Sequence, residues 1–424
     1  VLVVSRTGAG RRLAAFGCPR LRAILAAMLG VLFFLGSIIG LLFTVNGLRR
    51  RALWLPALVT SELAVHHLAW QGALTGLFIW GGVLDQLLGR IALGLTFLSW
   101  AGLIVMVYRG ERAKPVMRRA LEGLGRGVAP GPAPTLGDLV RVKARLPNGV
   151  EPVTDLSYGP EPAHVLDLHL PEDRSVSHPV LIQIHGGGWR RGYKEREARP
   201  LVFSMAKNGW VCVSIGYRLS PAATFPDHLI DVKRAIAWVR DNVHRWGGDP
   251  SFIAVTGGSA GGHLAALAAL TPNDPVYQPG FEQVDTSVQA CVPLYGIHDL
   301  LDRYRIRYPW PFIESIVMKT SPVEDPEGWD LASPIARVHP AAPPFFVLHG
   351  SHDFLVPPAE SRQFVAALAR VSESPVHYAE LPGATHGFDV MHSLRSRHVV
   401  HGVGKYLGAV HQNAPNPGAH PAEK

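Results

Sequence analysis

Cysteine is scarce in this chain: it occurs three times in 424 residues, as Cys18, Cys212 and Cys291. The odd count excludes a disulfide framework, and the settings "WVCVSIGY" and "VQACVPLY" make Cys212 and Cys291 core thiols of buried strands. Cys18 precedes an apolar run, where S-palmitoylation is the alternative to a plain thiol. The glycine-loop signatures G-x-x-x-x-G-K-S/T and G-x-G-x-x-G are also missing, which argues against phosphate binding by a glycine loop. Acidic residues are rare at the front. Residues 1–126 hold only Glu62, Asp85, Glu111 and Glu122 against fifteen Arg and Lys, a net +11 in a chain that totals +8, so the remainder sums to −3. The basic excess therefore flanks apolar segments, where it sets topology and attracts anionic lipid head groups, and nucleic acid is not an expected partner.

Charge is absent from residues 23–45, "AILAAMLGVLFFLGSIIGLLFTV". At about 1.5 Å per residue this run spans a hydrocarbon core of about 30 Å. It exceeds the apolar core of an ordinary signal peptide, and no small-residue cleavage pattern follows it. Ile91 to Tyr108, "IALGLTFLSWAGLIVMVY", is a second uncharged run just long enough to cross. Between them, Ala52 to Trp80 is apolar but carries Pro56, Glu62, His66, His67 and Gln71, whose polar members must pair inside a bundle if the segment spans. The expectation is a basic arm (1–22) followed by a region of two to three membrane helices (23–108), in a multi-pass protein of a cell membrane. Basic residues before the first run and after Tyr108 ask for an even number of spans, whereas three apolar segments give an odd one. Both topologies stay open, and with them the side on which the rest of the chain lies.

Residues 109–140 are first basic and then rich in Pro, Gly and Ala ("GVAPGPAPTLG"), as in a linker. From 141 to 410 the pattern alternates. "VLDLHL" at 165–170 places Leu166, Leu168 and Leu170 on one face and Asp167 and His169 on the other, a half-exposed strand. "VLIQI", "WVCVSI", "FIAVT", "VQACVPLY" and "FFVLH" are continuous apolar runs, as expected of strands covered on both faces. Helical stretches at Leu229–Trp246, Ser259–Leu270 and Pro358–Arg370 separate them. The order predicts an α/β domain with a mostly parallel, doubly wound sheet and flanking helices. The tail 411–424, "HQNAPNPGAHPAEK", is expected to be disordered.

Sites in such sheets form at the carboxyl ends of strands. "FIAVTGGSAGG" runs from strand through Gly257-Gly258-Ser259-Ala260-Gly261 into helix, the G-x-S-x-G elbow in its proper context, with Ser259 as candidate nucleophile. A serine hydroxyl needs a base, and a histidine base needs an acid to set its tautomer. "FFVLHGSHDFLVP" supplies Asp353 and "YAELPGATHGF" supplies His386, in the chain order Ser, Asp, His. His352, on the same loop as Asp353, is poorly placed to receive that carboxylate and reach Ser259, and His185 and His263 suit structural roles. "HGGGW" follows the strand "VLIQI", and its side-chain-free backbone lets the amides of Gly187 and Gly188 join that of Ala260 as an oxyanion hole, each donor worth about 2.7–4 kcal/mol.

His185-Gly186-Gly187-Gly188-Trp189, "YRLSP" at 217–221 and "GGDPSFIAVTGGSAGGHLAA" from Gly247 together resemble the α/β-hydrolases of the hormone-sensitive-lipase-like esterase group. The resemblance covers residues 145 to 410 and implies an α/β-hydrolase fold with carboxylic ester hydrolysis and no cofactor. It further implies Ser259 as nucleophile, His386 as general base, Asp353 as its orienting acid, and Gly187, Gly188 and Ala260 as oxyanion donors. The chain departs from many relatives in carrying Gly258 where they have Asp, and in having a membrane segment and linker where they have a helical cap. The insert 271–339, with "YRIRYPWPFIESIV", is expected to form a small lid whose aromatics line the acyl pocket. The layout is similar to membrane-anchored bacterial esterases and lipases and to prenylcysteine methylesterases. The expected function is a membrane-anchored serine esterase or lipase, with small-molecule or lipid esters as substrates and membrane lipids as partners. The alternatives are amide or formamide hydrolysis or acyl transfer on the same triad, and a non-catalytic ligand-binding homologue.

Overall fold

The computed structural model describes residues 19–49, 53–124, 137, 141–307 and 309–414. Cys18, the arm before residue 19, most of the Pro/Gly-rich linker and the tail after residue 414 lie outside them. The chain divides into two units, Val1–Gly110 and Glu111–Lys424.

The first unit is helical: α1 (Pro19–Leu48), α2 (Trp54–Glu62), α3 (Ala64–Trp80) and α4 (Leu87–Glu111), the last ending one residue beyond it. Two stretches, Ala23–Leu48 and Leu87–Ala120, are long and apolar enough to cross a membrane. The intervening apolar segment is broken at Leu63 (φ −105°, ψ 25°) into helices of 9 and 17 residues, shorter than the roughly 20 residues that a span needs. Of its polar residues Gln71 is paired across the helices, whereas the buried ring nitrogens of His66 have no hydrogen-bond partner among the described residues. Gln71 Oε1 accepts from Ser99 Oγ at 3.2 Å, Ser99 pairs with Thr44 at 2.9 Å, and Ser37 pairs with Thr96 at 2.9 Å. Among apolar helices such hydroxyl and amide contacts hold neighbours together at about 1 kcal/mol each.

In the second unit α5 (Ala113–Ala120) is followed by β1 (Glu151–Ser157), β2 (Val165–Leu170), β3 (His178–Ile184), α6 (Arg199–Lys207), β4 (Val211–Ile215), α7 (Asp227–Asn242), β5 (Gly248–Gly258) and α8 (Ala260–Leu270). Then come β6 (Ala290–Leu294), the short α9 (Pro326–Leu331), β7 (Phe345–Gly350), α10 (Pro358–Val371), β8 (Val376–Leu381) and α11 (Leu394–Asn413). The eight strands form one sheet in the order β1-β2-β4-β3-β5-β6-β7-β8. Only β2 runs against its neighbours, and every pairing from β4 to β8 is parallel.

The continuous apolar runs have the predicted cause. Val180, Ile182 and Ile184 of β3 pack into one core with α7 and α8, while Leu181 between them packs into the other with α6 and α11. Each fully buried aliphatic side chain stabilises the fold by about 1.5–3 kcal/mol. Two expectations are corrected. The polar face of β2 is not exposed: Asp167 is 2% exposed because Lys194 Nζ lies 2.7 Å from its Oδ1, and a carboxylate buries only when paired. The tail expected to be disordered from 411 begins inside α11, which runs to Asn413 and is started by a Ser393–Ser396 capping box.

The chain leaves β3 toward β4 on one side, then returns across β3 to place β5 on the other. The helices that follow β3 and β5 pack into different cores, and the carboxyl ends of these two strands are the switch point of the sheet. Because Ile182 sits at the middle of this central strand with no exposure, Ile182→Ala is expected to destabilise the protein by about 2–5 kcal/mol and Ile182→Val by about 0.5–1.5 kcal/mol. The check is the denaturant midpoint followed by tryptophan fluorescence.

Candidate active site

At the end of β5 the backbone turns into α8 through Ser259, whose φ of 58° and ψ of −122° lie in a region that side-chain-bearing residues avoid. The turn is possible because its neighbours lack side chains. A Cβ on Gly257 would lie 2.6 Å from the Ile184 carbonyl oxygen, and one on Gly261 would collide with that same oxygen. Backbone bonds hold the elbow: Ser259 N–H donates to Leu294 O at 2.9 Å and His263 N–H to Ser259 O at 3.0 Å. The serine is held at the head of a helix with its side chain partly open to solvent.

Ser259, His386 and Asp353, 127 and 33 residues apart along the chain, meet in one line. His386 Nε2 is 2.9 Å from Ser259 Oγ, and His386 Nδ1 is 2.6 Å from Asp353 Oδ2. The loops after β7 and β8 that carry the acid and the imidazole are tied together by Ser351 N–H to Leu381 O, His352 N–H to Ala384 O and Gly383 N–H to Ser351 Oγ. Asp353 also accepts the Leu355 and Val356 amides on Oδ1, and His349 Nε2 lies 3.4 Å from Oδ2. Burial pushes the Asp353 carboxyl up, but the charge of His386 and the hydrogen bonds from His349 and His386 prevail and hold it down at about 2.

The loop after β3 lies against the elbow. A Cβ on Gly186 would sit 3.3 Å from Ser259 Cβ. Gly187 and Gly188 adopt φ of 108° and 64°, and among the described residues their amides donate to no protein acceptor. The Gly186 amide is taken by Glu197 Oε2 at 2.6 Å, so the two following amides and that of Ala260, the first residue of α8, are the donors available to an oxyanion. His185 and His263 are structural, as expected. His185 stacks on Tyr217 with ring centres 4.3 Å apart, His263 Nε2 bonds Ala332 O at 2.8 Å, and burial pushes them down to about 4 and about 3, leaving both neutral. The insert reaches the same loop: a Cβ on Gly188 would meet the Phe312 ring at 3.7 Å, Trp310 stacks on Phe312, and the Arg190 guanidinium lies 5.1 Å from the ring centre.

Three residues here escape sequence reasoning: Glu197, Tyr295 and Asp389. No spacing announces them, because they come from a loop before α6, the end of β6 and the loop after His386. Burial pushes the Glu197 carboxyl up to about 7 from its ordinary 4.5, against the opposing Gly186 amide. The folded state thus keeps a proton that the unfolded chain releases near 4.5, so this group's stabilisation is present at low pH and is lost as pH rises toward 7. His185, His228 and His263, pushed down by burial, act in the opposite sense below 6.5. Glu197→Gln removes only the first effect. Its stability relative to wild type is expected to rise as pH is raised from about 5 to about 7.5, measured by denaturation at each pH, whereas a pH-independent difference means that Glu197 ionises normally.

The chain matches the BD-FAE family model over residues 166–368. It is 41% identical over 384 residues to a Mycobacterium tuberculosis protein named "Probable carboxylic ester hydrolase LipM", covering 86% of this chain and 88% of that one. "Esterase LipQ" of the same organism is 50% identical over 262 residues, 61% of this chain and 62% of that one. Among solved structures, a truncated carbohydrate esterase from gut microbiota superposes with a TM-score of 0.56 at 25% identity, covering 64% of this chain and 100% of that one. A propionate-bound esterase, Est2 of Thermogutta terrifontis, gives 0.52 at 25% identity, covering 63% of this chain and 97% of that one. Similarity running through 88% of LipM, together with a family match over the sheet that carries the elbow, means that this chain belongs to the BD-FAE-type carboxylic ester hydrolases of the α/β-hydrolase fold.

Proposed function

We propose that the protein is a membrane-anchored serine esterase that hydrolyses carboxylic esters through an acyl-enzyme. The observation that carries this reading is the relay from Ser259 Oγ through His386 to Asp353, with contacts of 2.9 and 2.6 Å, at the switch point of the sheet. In this mechanism His386 Nε2 takes the hydroxyl proton as Ser259 Oγ bonds to the ester carbonyl carbon. Asp353, held ionised, keeps the imidazole's Nδ1–H directed at itself and balances the imidazolium that forms. The carbonyl oxygen becomes an oxyanion beside the amides of Gly187, Gly188 and Ala260, and the helix behind Ala260 adds its positive end. The imidazolium then protonates the departing alkoxide, which leaves as the alcohol. Water, deprotonated by the same imidazole, attacks the acyl carbon, and Ser259 leaves with the proton returned to it, releasing the acid.

Names of the relatives support the ester substrate, and the apolar rings of Trp310 and Phe312 beside Gly188 suit a lipophilic one. Anchoring is supported by the two stretches long and apolar enough to cross a bilayer. An anchor favours esters already dissolved in or attached to lipid, because these are concentrated at the surface that holds the enzyme.

Ser259→Ala is expected to lower kcat on p-nitrophenyl esters by about 10⁴-fold or more with little change in stability, and wild-type activity in this variant would remove Ser259 from the mechanism. Comparison from acetate to palmitate divides a short-chain esterase from a lipase. The full chain is expected to stay with membranes through high-salt and alkaline carbonate washes, and its release by carbonate would remove the anchor.

A further inference from the structure

The position before the nucleophile is empty of side chain, and something else occupies the space. A Cβ on Gly258 would lie 2.5 Å from the Tyr295 hydroxyl oxygen, 2.9 Å from its Cζ and 3.0 Å from its Cε2. Tyr295 follows β6 directly, with a φ of 39° and its N–H donating to Leu348 O at 2.7 Å, so its backbone is anchored to the next strand. Its ring packs edge-on to His386, centres 4.7 Å apart at 61°, and to Phe388 at 5.1 Å. Its hydroxyl donates to Asp389 Oδ1, a carboxylate 5% exposed and three residues beyond His386 on the same loop. The hydroxyl thus links the loop carrying the imidazole to the strand end beside Ser259. A phenylalanine would fill the same volume, and the hydroxyl adds only the bond to Asp389. A buried carboxylate and hydroxyl are each costly to hide alone and favourable when paired, so the pair has one geometry.

We propose that Tyr295 and Asp389 form a positioning pair for His386, occupying the space left by Gly258 and holding the imidazole against Ser259 through the edge-on ring contact. The proposal rests on the reading of Ser259, His386 and Asp353 as the catalytic triad. Neither member touches the reacting atoms; the pair acts through the ring of His386.

The test uses the full chain in detergent with p-nitrophenyl butyrate, active sites being counted by a fluorophosphonate probe. Tyr295→Phe keeps the ring and loses only the bond. It is expected to lower kcat per active site about tenfold, equivalent to about 1.4 kcal/mol, at unchanged KM, and to slow the rate of phosphonate labelling by the same factor. Asp389→Asn, whose amide oxygen still accepts from the hydroxyl, is expected to stay within about threefold of wild type. Asp389→Ala should match Tyr295→Phe, and the double variant should be no worse than either single one, because both act through one bond. A merely structural role would lower melting temperature and the count of active sites while leaving kcat per active site unchanged, and that result overturns the proposal. So does an additive double variant. Should Asp389→Ala fail to fold, Tyr295→Phe alone decides. Ser259→Ala separates the two readings: if it is inactive while Tyr295→Phe has wild-type kcat, only the positioning pair falls, whereas activity in Ser259→Ala removes the triad itself.

Discussion

Nothing in the site could assemble if β5, the head of α8 and the end of β3 were not in backbone contact. The Ile184 carbonyl oxygen occupies the space where side chains of Gly257 and Gly261 would begin, and only residues without Cβ allow that approach. Ser259 is thereby forced to a φ of 58°, a strain of order 1–3 kcal/mol. Burial on either side offsets it: Ile184, Val255, Ala260 and Leu264 are all fully buried, and the larger aliphatics together contribute more than the strain removes. The same approach brings the glycine loop after β3 so close to the proposed nucleophile that a Cβ on Gly186 would lie 3.3 Å from Ser259 Cβ. The proposed nucleophile and the proposed oxyanion donors are thus two consequences of one close packing.

Burial then divides the ionisable groups into two kinds. Histidines with carbonyl partners only, such as His185 and His263, are driven neutral and serve as rigid hydrogen-bonding plates. Asp353 is equally buried, yet stays ionised because two imidazoles and two backbone amides converge on it. Glu197, with a single amide partner, is pushed the other way. The count of partners, rather than depth, decides which carboxyl holds a charge beside His386.

How much of this is legible in the sequence follows from the range of the interactions. Strand runs, the elbow and the order of Ser259, Asp353 and His386 are visible because each depends on local pattern: apolar continuity, glycine at a tight turn, polar residues just past a strand end. The sheet's central strands and the helices after β4, β5 and β7 are found where the pattern puts them, within a few residues. Asp167 is misread as solvent-facing because its partner, Lys194, lies 27 residues away on another loop. The apolar stretch between the two long helices reads as one segment, since a break at Leu63 leaves no glycine or proline at the break itself. Tyr295 and Asp389 are invisible for the same reason as Lys194. Their meaning arises only when β6 and the loop after β8 lie side by side, 94 residues apart in the chain.

The insert between β6 and β7 joins the site through a chain of contacts that starts far from it. Glu360 of α10, 2% exposed as a residue, forms an ion pair with Arg307 at 2.9 Å and also accepts the amides of His298 and Asp299. Arg307 donates to the carbonyls of Asp299 and Leu300 and lies 5.6 Å from the centre of the Trp310 ring, which stacks on Phe312. Burial pushes the Glu360 carboxyl up to about 7 against the pull of Arg307 and the two amides, so this root is held by a set of hydrogen bonds rather than by charge alone. Phe312 is then held between that root and the Arg190 guanidinium, directly over Gly188. At the point where the expected lid meets the glycine loop, the structure has an aromatic surface, Phe312 stacked on Trp310.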